Sequence, residues 1–101
     1  MVRHIVCWNF KEEFTKEQNI KNSLKVKCEL ENLVNTINGI IELNVITDIL
    51  STSNKDIVLN SLFENEEALA AYQKHPEHKR VSTYVGTVMQ NRVCIDFIEN
   101  K

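Results

Sequence analysis

The side chains best suited to proton transfer are concentrated in one stretch of the chain, residues 68–84. It contains two of the three histidines, His75 and His78, and both tyrosines, Tyr72 and Tyr84. Histidine exchanges a proton near neutral pH, and a tyrosine hydroxyl can stabilise a developing oxyanion. This stretch is therefore the candidate centre for acid–base chemistry.

Pro76 is expected to divide this stretch into two helices. Tyr72, His75 and His78 follow one another at intervals of three, which would place them on one face of a continuous helix. Because proline disfavours helical backbone at the preceding residue and lacks an amide donor, we predict one helix ending near Lys74 and another beginning at Pro76. His78 then lies in the first turn of the second helix, where the helix dipole favours the neutral, proton-accepting imidazole.

A purely structural interpretation of the two histidines is the alternative. His75 would be a junction residue bonded to backbone, and His78 a surface residue in a polar first turn with Glu77, Lys79 and Arg80. The spacing of a motif does not decide between these interpretations, because both are compatible with it.

The composition is that of an ordinary globular protein. A chain of 101 residues, with 43% hydrophobic and 26% charged residues, predicts one domain over residues 1–101. The net charge of −2 argues against a nucleic-acid partner, since phosphate binding needs a concentrated basic surface. The longest apolar runs are only a few residues, so we expect neither a secretory signal nor a membrane-spanning segment.

The cysteines point to a reducing compartment. Cys7, Cys28 and Cys94 are odd in number, lie in apolar segments and include no closely spaced pair. This pattern predicts reduced thiols in the core of a cytoplasmic protein rather than a disulfide framework or a zinc site.

The hydrophobic pattern predicts strands over residues 2–10, 40–50, 57–63 and 92–98. A long helix is expected to begin at a capping box, Thr15 to Gln18, and to continue to Ile37. The apolar residues near helical spacing on it are Ile20, Leu24, Cys28 and Val34, joined by Leu30, Leu33 and Ile37. Two short helices should occupy the region between Asn65 and Val85. Gly86 or the Gln90–Asn91 pair is expected to turn the chain into the last strand.

This order of elements predicts an α+β, ferredoxin-like βαββααβ fold with a four-stranded antiparallel sheet. The first strand carries His4, Val6 and Trp8 on one face and Ile5 and Cys7 on the other, so both faces are apolar. The helices can cover only one face, and leaving the other exposed to water would cost on the order of 10 kcal/mol. We therefore predict a two-fold homodimer with facing sheets that bury side chains such as Ile5, Cys7 and Cys94.

Three segments carry a resemblance to a known family. They are VRHIVCWNF at residues 2–10, FENEEALAAYQKHPEH at residues 63–78 and NRVCIDF at residues 91–97. With these segments the chain resembles the stress-responsive dimeric A/B-barrel family, also called Dabb. The resemblance implies a ferredoxin-like protomer and a barrel-shaped dimer.

One branch of that family is a plant polyketide cyclase that makes olivetolic acid by a cofactor-free intramolecular aldol condensation. The resemblance implies that His78 is a general base, that Tyr72 binds the oxyanion, and that His4 and His75 line the pocket. Val6 and Trp8 share the strand face of His4 and complete the predicted pocket, which Trp8 narrows by standing where the resemblance implies a smaller aliphatic residue. No cofactor is expected, and no metal site, because no carboxylate cluster accompanies His75 and His78.

Three functions are compatible with these observations. The first is a homodimer whose apolar pocket binds a small apolar carbonyl compound. The second is a cofactor-free lyase, cyclase or isomerase that uses Tyr72 and His78. The third, a cofactor-independent monooxygenase, is suggested by fold analogy alone.

Overall fold

The computed structural model describes residues 1–100, which form a four-stranded antiparallel sheet and helices on one of its faces. The elements in order are β1 (Val2–Phe10), α1 (Lys16–Glu31), a 3-10 turn (Asn32–Asn35), β2 (Ile40–Ile46), β3 (Ile57–Phe63), α2 (Glu66–Lys74), α3 (Pro76–Val88) and β4 (Met89–Ile98). The strand order is β2-β3-β1-β4, and every neighbouring pair is antiparallel. The predicted α+β ferredoxin-like fold is confirmed.

Short-range hydrogen bonds begin the helices where the sequence predicts. The Gln18 amide donates to Thr15 Oγ1 over 3.1 Å, and the Thr15 amide donates to Gln18 Oε1 over 2.8 Å, which completes the capping box of α1. Asn65 Oδ1 accepts the Ala68 amide over 2.8 Å at the start of α2. The break at Pro76 is also confirmed, since α2 ends at Lys74 and α3 begins with the proline.

The predicted apolar face of α1 was wrong in part, and its predicted length was too great. Leu30, Leu33 and Ile37 are buried as expected. The helix ends at Glu31 and tightens into the 3-10 turn rather than continuing to Ile37. The buried helix residues are Ser23, Val26 and Leu30, whereas Ile20, Leu24 and Cys28 are exposed. Ser23 can occupy the buried face because its hydroxyl donates to the Ile20 carbonyl over 2.8 Å, so no hydrogen-bonding group is lost there.

Gly39 turns the chain from the 3-10 turn into β2. Its φ is +89°, a left-handed value that glycine adopts at little cost. A Cβ at this position would also lie 2.7 Å from the Cβ of Ala68 in α2. Both the turn and the close approach of α2 therefore require glycine.

The predicted second strand was too long. Ile46 pairs with Val58 near the beginning of β3, and within the described chain no strand lies opposite the residues that follow Ile46. A register shift between Ile40 and Glu42 makes Ile41 the extra residue of a bulge, so Ile41 is exposed rather than on the buried face.

The turn predicted at Gly86 or at Gln90–Asn91 was also wrong. α3 continues through Gly86 to Val88, and β4 begins at the next residue, Met89. Asn91 instead has a positive φ of 57° where the pairing of β1 with β4 shifts register. Asparagine tolerates this backbone better than most side chains, so the strand bends there without a break.

The two faces of the sheet differ in what covers them. Alternate residues of β1, beginning with Val2 and His4, are buried beneath the helices. The opposite face of β4 carries Val93, Ile95 and Phe97, which pair with Cys7, Ile5 and Arg3 and are 49%, 60% and 43% exposed. An apolar sheet face is thus open to solvent in the single chain.

The placement of the cysteines corrects two predictions. Cys94 lies on the helix-side face beside His4, not on the open face. Cys28 and Cys94 are exposed and Cys7 is half-buried, so the thiols are free but are not core residues. No helix among residues 1–100 combines the length and apolar character needed to cross a membrane.

Candidate functional site

A cavity of about 240 Å³ lies between the sheet and the two C-terminal helices. β1 contributes His4, Val6 and Trp8 to its wall, α2 contributes Tyr72, and α3 contributes His78. The remaining lining residues are Leu30, Leu59, Ser82, Val85, Gly86, Met89, Gln90, Asn91 and Arg92.

The structure brings together five of the six site residues predicted from the sequence. The exception is His75, which stands at the junction of α2 and α3 and is not among the lining residues of the described chain. Its Nδ1 accepts the Glu77 amide over 3.1 Å and caps the N-terminus of α3. His75 therefore makes the contact expected of a junction residue bonded to the backbone.

Tyr72 presents a polar group that the protein leaves unsatisfied. The side chain is fully buried, and its hydroxyl has no hydrogen-bond partner among residues 1–100. Its ring packs 4.9 Å from the Phe63 ring and 4.4 Å from the His78 ring, between ring centres. Burial raises the pKa of Tyr72 well above its usual value, so the hydroxyl stays protonated and can act as a donor.

His78 is arranged to accept a proton. Its Nδ1 lies 3.3 Å from the Gln73 carbonyl, and because a carbonyl only accepts, Nδ1 carries the hydrogen in this contact. Nε2 is then the nitrogen with the lone pair. Burial lowers the pKa of His78, and the positive charge of Arg92 adds a smaller lowering, so the neutral ring predominates at pH 7.

His4 is held by a carboxylate that the sequence analysis missed. Its ring is buried, and Nδ1 donates to Asp96 Oδ1 over 2.5 Å. The register pairs His4 with Asp96 across β1 and β4, so the two side chains leave the same face of adjacent strands. The sequence signal was an acidic residue within the otherwise apolar run at residues 93–98, but its partner could be found only from the register.

The mouth of the cavity is polar and opens between α3 and β4. Ser82, Gly86, Asn91 and Arg92 are lining residues that are also exposed. A Cβ at Gly86 would meet no atom within 4 Å, so packing does not require glycine there. Arg92 at this mouth was not identified from the sequence. Its positive charge lowers the pKa of His78. It also lowers the pKa of Tyr72, although burial raises that pKa by more.

This geometry places a buried hydrogen-bond donor, the Tyr72 hydroxyl, and a proton acceptor, His78, in a cavity with a polar mouth. The Tyr72 hydroxyl can donate to an oxygen of a bound molecule, and His78 Nε2 can accept a proton from an adjacent atom. Because the two rings are 4.4 Å apart, both groups can act on one small molecule. The arrangement is suited to polarising a carbonyl group.

Solved structures of low sequence identity share this fold. A dimeric protein of unknown function from Bacteroides fragilis is 25% identical, with a TM-score of 0.87 over 95% of this chain and 93% of its own. A protein from Arabidopsis thaliana is 24% identical, with a TM-score of 0.81 over 100% and 97%. Hydroxynitrile lyase from Passiflora edulis is 18% identical, with a TM-score of 0.80 over 99% and 94%.

A comparison with proteins of curated function gave no significant match. The family model described as the stress responsive A/B barrel domain matches residues 2–99, nearly the whole sequence. The protein therefore belongs to the stress-responsive A/B barrel (Dabb) family.

Proposed function

We propose that this protein binds a small, largely apolar carbonyl compound in the cavity. The observation that carries the proposal is the buried Tyr72 hydroxyl, which has no acceptor among residues 1–100. Leaving such a donor unsatisfied costs about 1–3 kcal/mol, and a bound carbonyl oxygen would remove that cost. The ligand's oxygen therefore sits at Tyr72.

The size and polarity of the cavity define the class of ligand. Apolar side chains such as Val6, Trp8 and Leu59 form much of the wall. An apolar cavity of about 150 Å³ holds benzene, so a volume of about 240 Å³ holds a compact molecule with one ring and a short substituent. The cavity thus fits an aryl or cyclic ketone or aldehyde. Trp8 lines the cavity and does not fill it.

Acetophenone and ethylbenzene form a matched pair for the test, because they differ only in the carbonyl group. Tyr72→Phe should weaken acetophenone binding about 2- to 12-fold, the effect of losing one hydrogen bond of 0.5–1.5 kcal/mol, and leave ethylbenzene binding unchanged. Affinities are measured by calorimetry, with the fluorescence of the single tryptophan as a second readout. Equal effects on the two compounds would contradict the proposal.

A second candidate function is cofactor-free proton transfer on the same ligand, as in a lyase or isomerase. His78 Nε2 would take a proton from the carbon next to the carbonyl while the Tyr72 hydroxyl donates to the enolate oxygen. The lowered pKa of His78 favours this role. The fold is compatible with lyase chemistry, since a protein named hydroxynitrile lyase shares it.

Hydrogen–deuterium exchange of the acetophenone methyl group in D2O tests this second function by NMR. The wild-type protein should accelerate the exchange, and His78→Gln should abolish the acceleration. His75→Gln is the control, because His75 lies in the same segment but is not among the lining residues. Equal exchange rates in the two variants would exclude His78 as the base.

We further propose that the protein acts as a homodimer joined through the open sheet faces. Val93, Ile95 and Phe97 form an exposed apolar strip, which a second copy would cover. Arg3 lies beside this strip, and its guanidinium already has hydrogen-bond acceptors within one chain, on Glu99, Glu42 and Asn60 at 2.6–3.1 Å. The Bacteroides fragilis relative is itself described as dimeric. Sedimentation at micromolar concentration should report twice the chain mass.

A cytoplasmic location fits the chemistry of the thiols. Cys7, Cys28 and Cys94 are all free, as expected for a protein kept in a reducing compartment. Localisation of the full chain fused to a fluorescent protein tests this proposal.

A further inference from the structure

Three potential metal ligands converge beside the cavity, on neighbouring strands. His4 Nδ1, Cys94 Sγ and Asp96 Oδ1 all lie within 4.8 Å of one another. Cys94 Sγ is 3.7 Å from His4 Nδ1 and 3.6 Å from Asp96 Oδ1, and the nitrogen and the carboxylate oxygen are 2.5 Å apart. Neither carbonyl binding nor proton transfer makes use of Cys94.

A nucleophilic role for Cys94 does not fit this arrangement. The histidine nitrogen closest to the sulfur already donates to Asp96, so it cannot also accept the thiol proton. The convergence of the three donor atoms therefore needs another explanation.

The separations of these atoms match those of a tetrahedral zinc site. Zinc–sulfur and zinc–nitrogen or zinc–oxygen bonds of about 2.3 and 2.1 Å place the sulfur about 3.6 Å from the other two ligand atoms. The two observed distances that include sulfur are 3.7 and 3.6 Å. Only the nitrogen–oxygen distance must open, to about 3.4 Å by the same geometry. Asp96 can move, because its side chain is 39% exposed on an edge strand.

We propose that His4, Cys94 and Asp96 form a binding site for Zn²⁺ that joins β1 to β4. One thiolate, one carboxylate and one neutral imidazole balance the charge of the ion and supply the sulfur, nitrogen and oxygen ligands that zinc accepts. On binding, the Cys94 thiol proton passes to solvent and the proton of the His4 ring moves from Nδ1 to Nε2. The fourth coordination position is left for water. This proposal is independent of the carbonyl ligand.

The test uses the full-length protein without an affinity tag, titrated with ZnCl2 by calorimetry and with CoCl2 by absorption spectroscopy. The wild-type chain should bind one Zn²⁺ in the micromolar range or more tightly. Co²⁺ should produce the near-ultraviolet charge-transfer band of a cobalt–thiolate bond. Cys94→Ser should remove this band and weaken Zn²⁺ binding at least tenfold, since even residues behind the ligands contribute that much.

Two further variants make the outcome decisive. Cys28→Ser is the matched control, because Cys28 is an exposed thiol on α1 outside the cluster, and it should retain both the band and the affinity. Asp96→Asn should weaken Zn²⁺ binding while the Co²⁺–thiolate band persists at saturating Co²⁺. Absence of saturable binding below about 1 mM in the wild type, or unchanged binding in Cys94→Ser, would show that His4 and Asp96 form a hydrogen bond only.

Discussion

The buried hydroxyl of Tyr72 predicts a substitution that stabilises the ligand-free protein while impairing ligand binding. Tyr72→Phe keeps the ring contacts with Phe63 and His78 and deletes only the hydroxyl. An unsatisfied buried polar group costs about 1–3 kcal/mol, and its removal should therefore raise the free energy of unfolding by about 1 kcal/mol. Most core substitutions have the opposite sign.

Urea unfolding at one fixed protein concentration measures this effect. With an m value of about 2 kcal/mol/M, a gain of about 1 kcal/mol moves the midpoint upward by about 0.5 M. The protein concentration must be held constant, because association shifts apparent stability. The slope should not change, since the substitution leaves the surface exposed on unfolding the same.

Tyr84→Phe is the matched control. Tyr84 is half-buried, and its ring lies 4.6 Å from the Lys25 amine, a contact that phenylalanine retains. This variant should change stability by less than about 0.5 kcal/mol. A loss of about 1 kcal/mol or more in Tyr72→Phe would show that the native hydroxyl is well bonded. The argument that it awaits a ligand would then fail.

Substitutions at three other positions, His78, Gly86 and Ile95, test the remaining parts of the site and the assembly. Burial lowers the pKa of His78 in the folded protein below its value of about 6.5 in the unfolded chain. Keeping the ring neutral therefore costs the folded protein no stability above about pH 6.5, and stability is lost as the pH falls from there through the folded-state pKa. When the pH is lowered below about 6.5, the free energy of unfolding should therefore fall less for His78→Gln than for the wild type. Equal decreases in urea titrations of the two proteins would contradict this. Gly86→Ala should stabilise α3 by up to about 1 kcal/mol, whereas Gly86→Leu should obstruct the mouth and slow acetophenone entry in stopped-flow measurements; an unchanged entry rate would place the entrance elsewhere. Ile95→Glu should convert the dimer to monomers in sedimentation, while Leu50→Glu, at a position 77% exposed in the loop after β2, should leave it intact. A dimer that survives Ile95→Glu would require a different interface.

Much of the fold follows from short-range patterns in the chain. Several features depend only on residues within a few positions of one another. They are the limits of β1 and β3, the capping box at Thr15 and the helix break at Pro76. Steric restriction by proline and side-chain capping act over this range, so they can be read directly from the sequence. The same patterns, together with family resemblance, singled out Tyr72 and His78.

The errors at α1 and β2 concern interactions between distant parts of the chain. The buried face of α1 is set by β2 and α3, against which the helix packs, so Ser23 is buried while the more apolar Leu24 faces solvent. The end of β2 depends on where β3 begins, and Ile41 is exposed because of a bulge opposite β3. Hydrophobicity along the sequence does not contain this information, since pairing is decided by the partner strand.

Local sequence patterns are enough to predict most of the order of elements and to identify a tyrosine and a histidine suited to acid–base chemistry. The protonation and the partners of the site residues follow from the folded chain alone. His4 meets Asp96, 92 positions away, through strand register, and Tyr72 lacks an acceptor within residues 1–100 because of what packs around it. Desolvation and hydrogen bonding depend on neighbours in space, and these neighbours are assembled only when the sheet and helices close on one another.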